Sequence, residues 1–177
     1  MTQGFSYTAR AALAAFAAAM ALPAGAAAAQ PAPAAAPLFD ATVPSDILAA
    51  ARKNGAAVLE EDSIGGPMIR GRIDGISYLI FFLECDDAGE NCRNIQFYAS
   101  WDTQDVVIAE VNDWNINRVY GEALINEFGE PTLEMTVIVA GGVTDAVLEE
   151  AFFIWRSVAA SFAEEVVSAA ASETDAG

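Results

Sequence analysis

Residues 68–101 read MIRGRIDGISYLIFFLECDDAGENCRNIQFYASW, and the reading of this stretch sets the rest. Asp74-Gly75 lies between two alternating runs, the signal of a two-residue β-hairpin. That turn sets Ile73 opposite Ile76, Gly71 opposite Tyr78 and Ile69 opposite Ile80, so one face is apolar and Tyr78 covers a glycine. The second strand of the hairpin runs on to Cys85, a polar loop spans Asp86 to Asn91, and a further strand runs from Cys92 to Trp101. If Cys85 faces Cys92, then Phe82 meets Ile95, Ile80 meets Phe97, Tyr78 meets Ala99 and Ile76 meets Trp101. Every one of those pairs is apolar, so cysteine placement and hydrophobic pattern support the same register.

Upstream, Pro44-Ser45-Asp46 opens a short helix that stops at Gly55, and Ala56 to Glu61 is a strand that turns through Ile64-Gly65-Gly66-Pro67 into Met68–Ile73. Downstream, Thr103 is placed as the N-cap of a second helix that fades at Asn115-Ile116-Asn117. Val119–Asn126 and Pro131–Ala140 read as a hairpin, with Leu133, Met135, Val137 and Val139 on one face. Thr144 caps a long amphipathic helix carrying Leu148, Phe152, Trp155, Phe162 and Val166 on its apolar stripe. The order helix, four strands, helix, two strands, helix defines an α+β domain with helices packed on a mainly antiparallel sheet.

The first residues differ in kind. Arg10 precedes an apolar run from Ala11 to Leu22, broken by Pro23 and Gly25, which is the length of a signal-peptide core and too short to span a bilayer. Ala27 and Ala29 fit the small-residue cleavage rule, releasing Gln30. The expected organisation is a signal peptide over 1–29, an Ala/Pro-rich linker over 30–43, a domain over 44–168 and a flexible tail over 169–177. The mature protein is then periplasmic or secreted. In such a compartment Cys85 and Cys92 are best read as a disulfide; a redox pair and metal thiolates remain the alternatives, although C-x6-C matches neither C-x-x-C nor a zinc knuckle.

Composition excludes much chemistry. The chain has no histidine, which removes Ser-His-Asp hydrolysis, Cys-His catalysis and imidazole-bound metals. Its 25 acidic against 8 basic residues, net −17, repel phosphodiester backbones and anionic lipid surfaces. Neither nucleic acid nor stable membrane insertion is expected.

The segments Ile69-Arg70-Gly71-Arg72-Ile73-Asp74-Gly75, Ile95-Gln96-Phe97-Tyr98-Ala99-Ser100-Trp101-Asp102 after Cys92, and Val111-Asn112-Asp113-Trp114-Asn115 resemble the YbjN family. So does the distal part, where Gly129-Glu130-Pro131-Thr132-Leu133-Glu134-Met135 precedes Gly141-Gly142-Val143 and the Trp155 helix. The resemblance spans about Pro44 to Val167. Members are described as sensory-transduction regulators with a fold similar to type III secretion chaperones. The resemblance therefore implies protein binding and brings no reaction and no catalytic residues.

Three constellations are candidates for function. Arg70 and Arg72 point away from the apolar face and share their side with Leu79, Phe81, Leu83 and Tyr98. This second face could receive an extended peptide or an acidic group of a partner, or a helix could cover it while the arginines pair with carboxylates. Asn112, Trp114 and Asn115 could line a ligand pocket, or form a helix end with a buried indole and capping amides. Asp86, Asp87 and Glu90 offer oxygen ligands without the spacing of a calcium loop, so a solvated acidic loop is preferred and no metal site is assigned. The expectation is a non-enzymatic interaction module without a cofactor, binding a protein or peptide of unspecified identity, a second copy included. A small-ligand or cation sensor of the cell envelope is the alternative. A hydrolase built on carboxylates such as Glu60-Glu61-Asp62 ranks last.

Overall fold

The computed structural model describes residues 38–39, 43–87 and 91–174. The expected leader, nearly all of the linker, Glu90 and the last three residues lie outside the described residues. The elements are β1 (Leu38–Phe39), α1 (Pro44–Asn54), β2 (Ala56–Glu61), β3 (Pro67–Ile73), β4 (Ile76–Leu83), β5 (Asn94–Ser100), α2 (Ile108–Ile116), β6 (Glu122–Ile125), β7 (Pro131–Ile138), β8 (Val143–Thr144) and α3 (Asp145–Phe162). A π-helical turn (Ala163–Ser168) then leads into α4 (Ala169–Thr174). The main sheet has the strand order β2-β3-β4-β5-β7-β6 and is antiparallel throughout, while β1 pairs with β8.

The hairpin register is the expected one. Ile73 pairs with Ile76, Gly71 with Tyr78 and Ile69 with Ile80. Asp74 and Gly75 both take positive φ, 47° and 89°, the conformation whose twist matches that of the flanking strands. On the next strand Ile80 pairs with Phe97 and Phe82 with Ile95, and the Cys85–Cys92 disulfide closes the loop.

The helices lie against one face of this sheet. Residues of α1 (Ile47, Ala51), α2 (Val111, Trp114) and α3 (Leu148, Phe152, Trp155, Phe162) share one buried cluster with Ile69, Tyr78, Ile80, Ile95, Phe97 and Leu133 of the sheet. Its centre is aromatic: Phe97 meets Phe152 edge-on at 5.0 Å and stacks obliquely on Trp155 at 5.4 Å. Gly71 is required beneath Tyr78, because a Cβ there would lie 2.2 Å from the ring carbon Cζ. The Arg156–Asp74 ion pair at 3.1 Å ties α3 to the hairpin turn, and Lys53–Asp145 at 2.7 Å ties the end of α1 to the start of α3.

Several boundaries move. Helix α2 starts at Ile108, well after the expected cap at Thr103. The Thr103 hydroxyl instead accepts from the Asp105 N–H at 3.2 Å, closing a local turn, and the Glu110 carboxylate accepts the Val107 N–H at 2.9 Å. Strand β6 begins at Glu122 and not at Val119, because Gly121 takes φ +81° and turns the chain into the strand. Helical structure persists past Ala169 to Thr174, with Val166 and Ala170, one turn apart, both buried.

Candidate functional site

The sheet face opposite the helices carries the first candidate set. Cross-strand register places Arg70, Leu79, Tyr98, Glu134 and Glu122 in one row, and Met68, Phe81, Gln96 and Thr136 in the next. Leu79, Phe81, Leu83 and Tyr98 are each half-buried, and Phe81 meets Tyr98 edge-on at 5.8 Å. Among the described residues no helix covers them, since the buried residues of α1, α2 and α3 all belong to the cluster on the other face. The helical cover that the sequence allowed is absent from the described chain.

The two arginines differ. Arg70 pairs with Glu60 across β2 and β3 at 3.0 Å, whereas Arg72 is exposed and has no ion-pair partner among the described residues. Between Arg70 and Tyr98 lies a shallow concavity of 140 Å³, with Ser77, Leu79 and Ser100 also in its lining. At the far end of the row Glu134 has its carboxyl pushed above the usual 4.5, first by burial and then by the facing Glu122, although a hydrogen bond from Gln96 at 2.9 Å opposes this. Like charges placed directly opposite on neighbouring strands repel.

The second set does not come together as a pocket. Asn112 is exposed on α2, and the Asn115 side chain is spent on β6, its amide donating to the Ala123 carbonyl at 2.8 Å and its oxygen accepting the Ala123 N–H at 2.9 Å. Trp114 alone lines a concavity, one of 670 Å³ with Glu110, Asp113, Asn117, Arg118 and Glu165 around it. Arg118 stands 5.4 Å from the Trp114 ring centre and pairs with Glu165, while the buried indole Nε1 has no hydrogen-bond partner. Arg118 and Glu165 were not picked out by sequence reasoning: 47 residues separate them, and no local pattern links the two.

In the disulfide loop, Asp86 accepts from the Asn91 side chain at 2.7 Å and Asp87 is exposed. Among the described residues no group of three or more His, Cys, Asp or Glu is arranged to hold a metal ion. No helix among them is long and apolar enough to cross a membrane.

Among the described residues, an antiparallel six-stranded sheet carries helices on one face and leaves the other, apolar and edged by charge, without a helix over it, the arrangement of an α+β domain. Residues 44–168 match the YbjN family model, described as "putative bacterial sensory transduction regulator". The chain belongs to the YbjN family. Compared with individually curated proteins, it matches none.

Proposed function

We propose that this protein is an exported, non-enzymatic interaction module of sensory or chaperone-like kind, which binds another protein through its open sheet face. The observation that carries the reading is that Leu79, Phe81, Leu83 and Tyr98 form an apolar face that no helix of the described chain covers, with Arg72, which has no ion-pair partner among the described residues, at its margin. An acidic group on the partner would meet Arg72 first, since Arg70 already holds Glu60. The signal-like leader and the Cys85–Cys92 disulfide support an oxidising compartment outside the cytoplasm. The likeness to type III secretion chaperones rests on the family resemblance alone. The test is crosslinking and affinity capture from the cell envelope with the native chain, with Arg70→Glu/Arg72→Glu and with Phe81→Ala/Tyr98→Ala. A stoichiometric partner lost in both variants while they remain folded supports the reading; an undiminished partner refutes it.

A second reading, small-ligand sensing, draws on the polar concavity at Trp114 and its unpartnered indole N–H. A thermal-shift screen tests it: a ligand that raises Tm in the native chain and not in Trp114→Phe supports it.

A further inference from the structure

We propose a separate docking site at the free end of β7: residues Thr136–Ile138, with the groove beside α3, accept an extended strand of a partner protein carrying alternating apolar and basic side chains. It shares Thr136 and the Glu134–Glu122 rim with the open face, but its edge backbone and its groove are separate from the Leu79, Phe81, Leu83 and Tyr98 patch, so it is tested independently of that reading.

The argument begins with the outer edges of the sheet. An unpaired edge is a template for another strand, and proteins blunt such edges with charge, proline or a covering group. Strand β2 is blunted by Glu60 and Glu61, followed at once by Asp62. On β6, both outward backbone groups of Ala123 are taken by the side chain of Asn115, which acts as a one-residue substitute for a strand. Strand β7 runs to Ile138, but β6 pairs only with Pro131–Glu134. Over Met135-Thr136-Val137-Ile138, on the side away from β5, the edge has no charge, no proline, no glycine and, among the described residues, no neighbouring strand.

Backbone direction identifies the free groups. The Pro131 carbonyl accepts from Trp101 at 3.1 Å and the Val139 N–H donates to Arg93 at 3.0 Å, both on the β5 side, whereas the Glu130 carbonyl accepts from Asn126 on the β6 side. Alternation along an antiparallel strand therefore turns the N–H and C=O of Thr136 and Ile138 outward. These are two donors and two acceptors in extended geometry.

The flanking surface specifies the occupant. A groove of 540 Å³ lies between this edge and the first turns of α3, lined by Met135, Val137, Ala146, Val147 and Ile154, with Glu150 as its one ionised group and no lysine or arginine. Alternate side chains of an added strand would enter this apolar groove. The intervening ones would emerge on the other face beside Thr136 and the exposed Ile138, next to Glu134 and Glu122. Apolar residues suit the first set and basic residues the second. A second copy of this chain, with a net charge of −17, brings more negative charge to a rim of carboxylates and is the wrong occupant.

The test titrates the isotope-labelled full chain with the synthetic peptide acetyl-KVKVKVK-amide and follows amide hydrogen exchange residue by residue. Exchange at Thr136 and Ile138 is expected to slow by about tenfold or more at saturation. The matching glutamate-for-lysine peptide should bind at least about tenfold more weakly. Val147→Lys, which fills the groove, and Ile138→Pro, which removes one outward N–H, should each abolish the protection; either variant suffices if the other does not fold. Unchanged exchange at both amides, equal binding of the two peptides, or a dimer that protects the same amides without peptide would each overturn the proposal.

Discussion

Tyr78 is the best-placed residue for a quantitative test of the core. It is 2% exposed, its ring centre lies within 6.1–6.5 Å of those of Phe97, Phe152 and Trp155, and its hydroxyl has no hydrogen-bond partner. Leaving a buried hydroxyl unpaired costs about 1–3 kcal/mol. Tyr78→Phe removes the oxygen and leaves the ring, so the variant should be more stable than the native chain by about 1 kcal/mol near neutrality, once the small void over Gly71 is allowed for.

The same burial pushes the phenol from 10.0 up to about 12. Between those values the unfolded chain has released the proton while the folded chain retains it, so stability is intact below pH 10 and falls as pH rises toward 12. From about pH 8 to about pH 11 the loss is at most about 1.4 kcal/mol, less to the extent that water screens the ring. Tyr78→Phe cannot suffer this loss. Urea unfolding of both proteins at the two pH values should show the advantage of the variant roughly doubling at the higher one. A variant less stable than the native chain near neutrality, with a gap that does not widen in alkali, would refute the account of this core.

Other consequences are simpler. Gly71→Ala drives a Cβ into the Tyr78 ring and should cost about 1–3 kcal/mol in urea unfolding, less when Tyr78 is first shortened to leucine. Replacing both Cys85 and Cys92 by serine opens a loop of sequence separation 7 and should lower stability by about 2 kcal/mol, a difference that reductant abolishes. Asn115→Ala uncaps the Ala123 backbone, which should cost about 2 kcal/mol and hasten amide exchange at Ala123. For Glu134 the raised carboxyl means that the native fold favours the protonated form, so its contribution is fully present in acid and is lost as pH rises. Glu134→Gln keeps an acceptor for Gln96 and should exceed the native chain in Tm at neutral pH but not below the usual carboxylate range, by scanning calorimetry.

The β3-β4-β5 core of the sheet was legible because two independent constraints coincide there. Asp74-Gly75 fixes one register by turn chemistry, and the cysteines fix the next by their reach, so a slip of one residue would have violated both. The start of α2 was not legible, because a threonine that caps a helix and one that closes its own turn look alike until the following backbone is seen. The same limit applies to Asn115. Its amide can cap, bind a ligand or stand in for a strand, and only the position of Ala123 across the gap decides. Nor do local letters show that β7 inserts between β5 and β6, leaving its last residues unpaired on the β6 side. That arrangement follows from long-range burial of Leu133 and Met135 against α3 and the sheet.

The open face has a polarity that constrains any partner. Its central row runs from Arg70 on β3 through Leu79 and Tyr98 to Glu134 and Glu122 on β7 and β6. With strands about 4.8 Å apart, the ends of this row are separated by roughly 19 Å. That exceeds the screening length of about 10 Å at moderate ionic strength, so the cationic and anionic ends do not neutralise each other. At the cationic end Arg70 is held by Glu60, so the neighbouring Arg72 is the cation that meets a ligand, and the apolar centre supplies contact area without a preferred direction. A partner lying across the face must therefore place its acidic groups over β3 and its basic groups over β6, and reversing Arg70 and Arg72 should impair binding without touching the β7 edge. The carboxylates at the far end belong to both surfaces. Charge reversal at Glu134 should weaken the face and the edge together, whereas Val147→Lys should affect the edge alone.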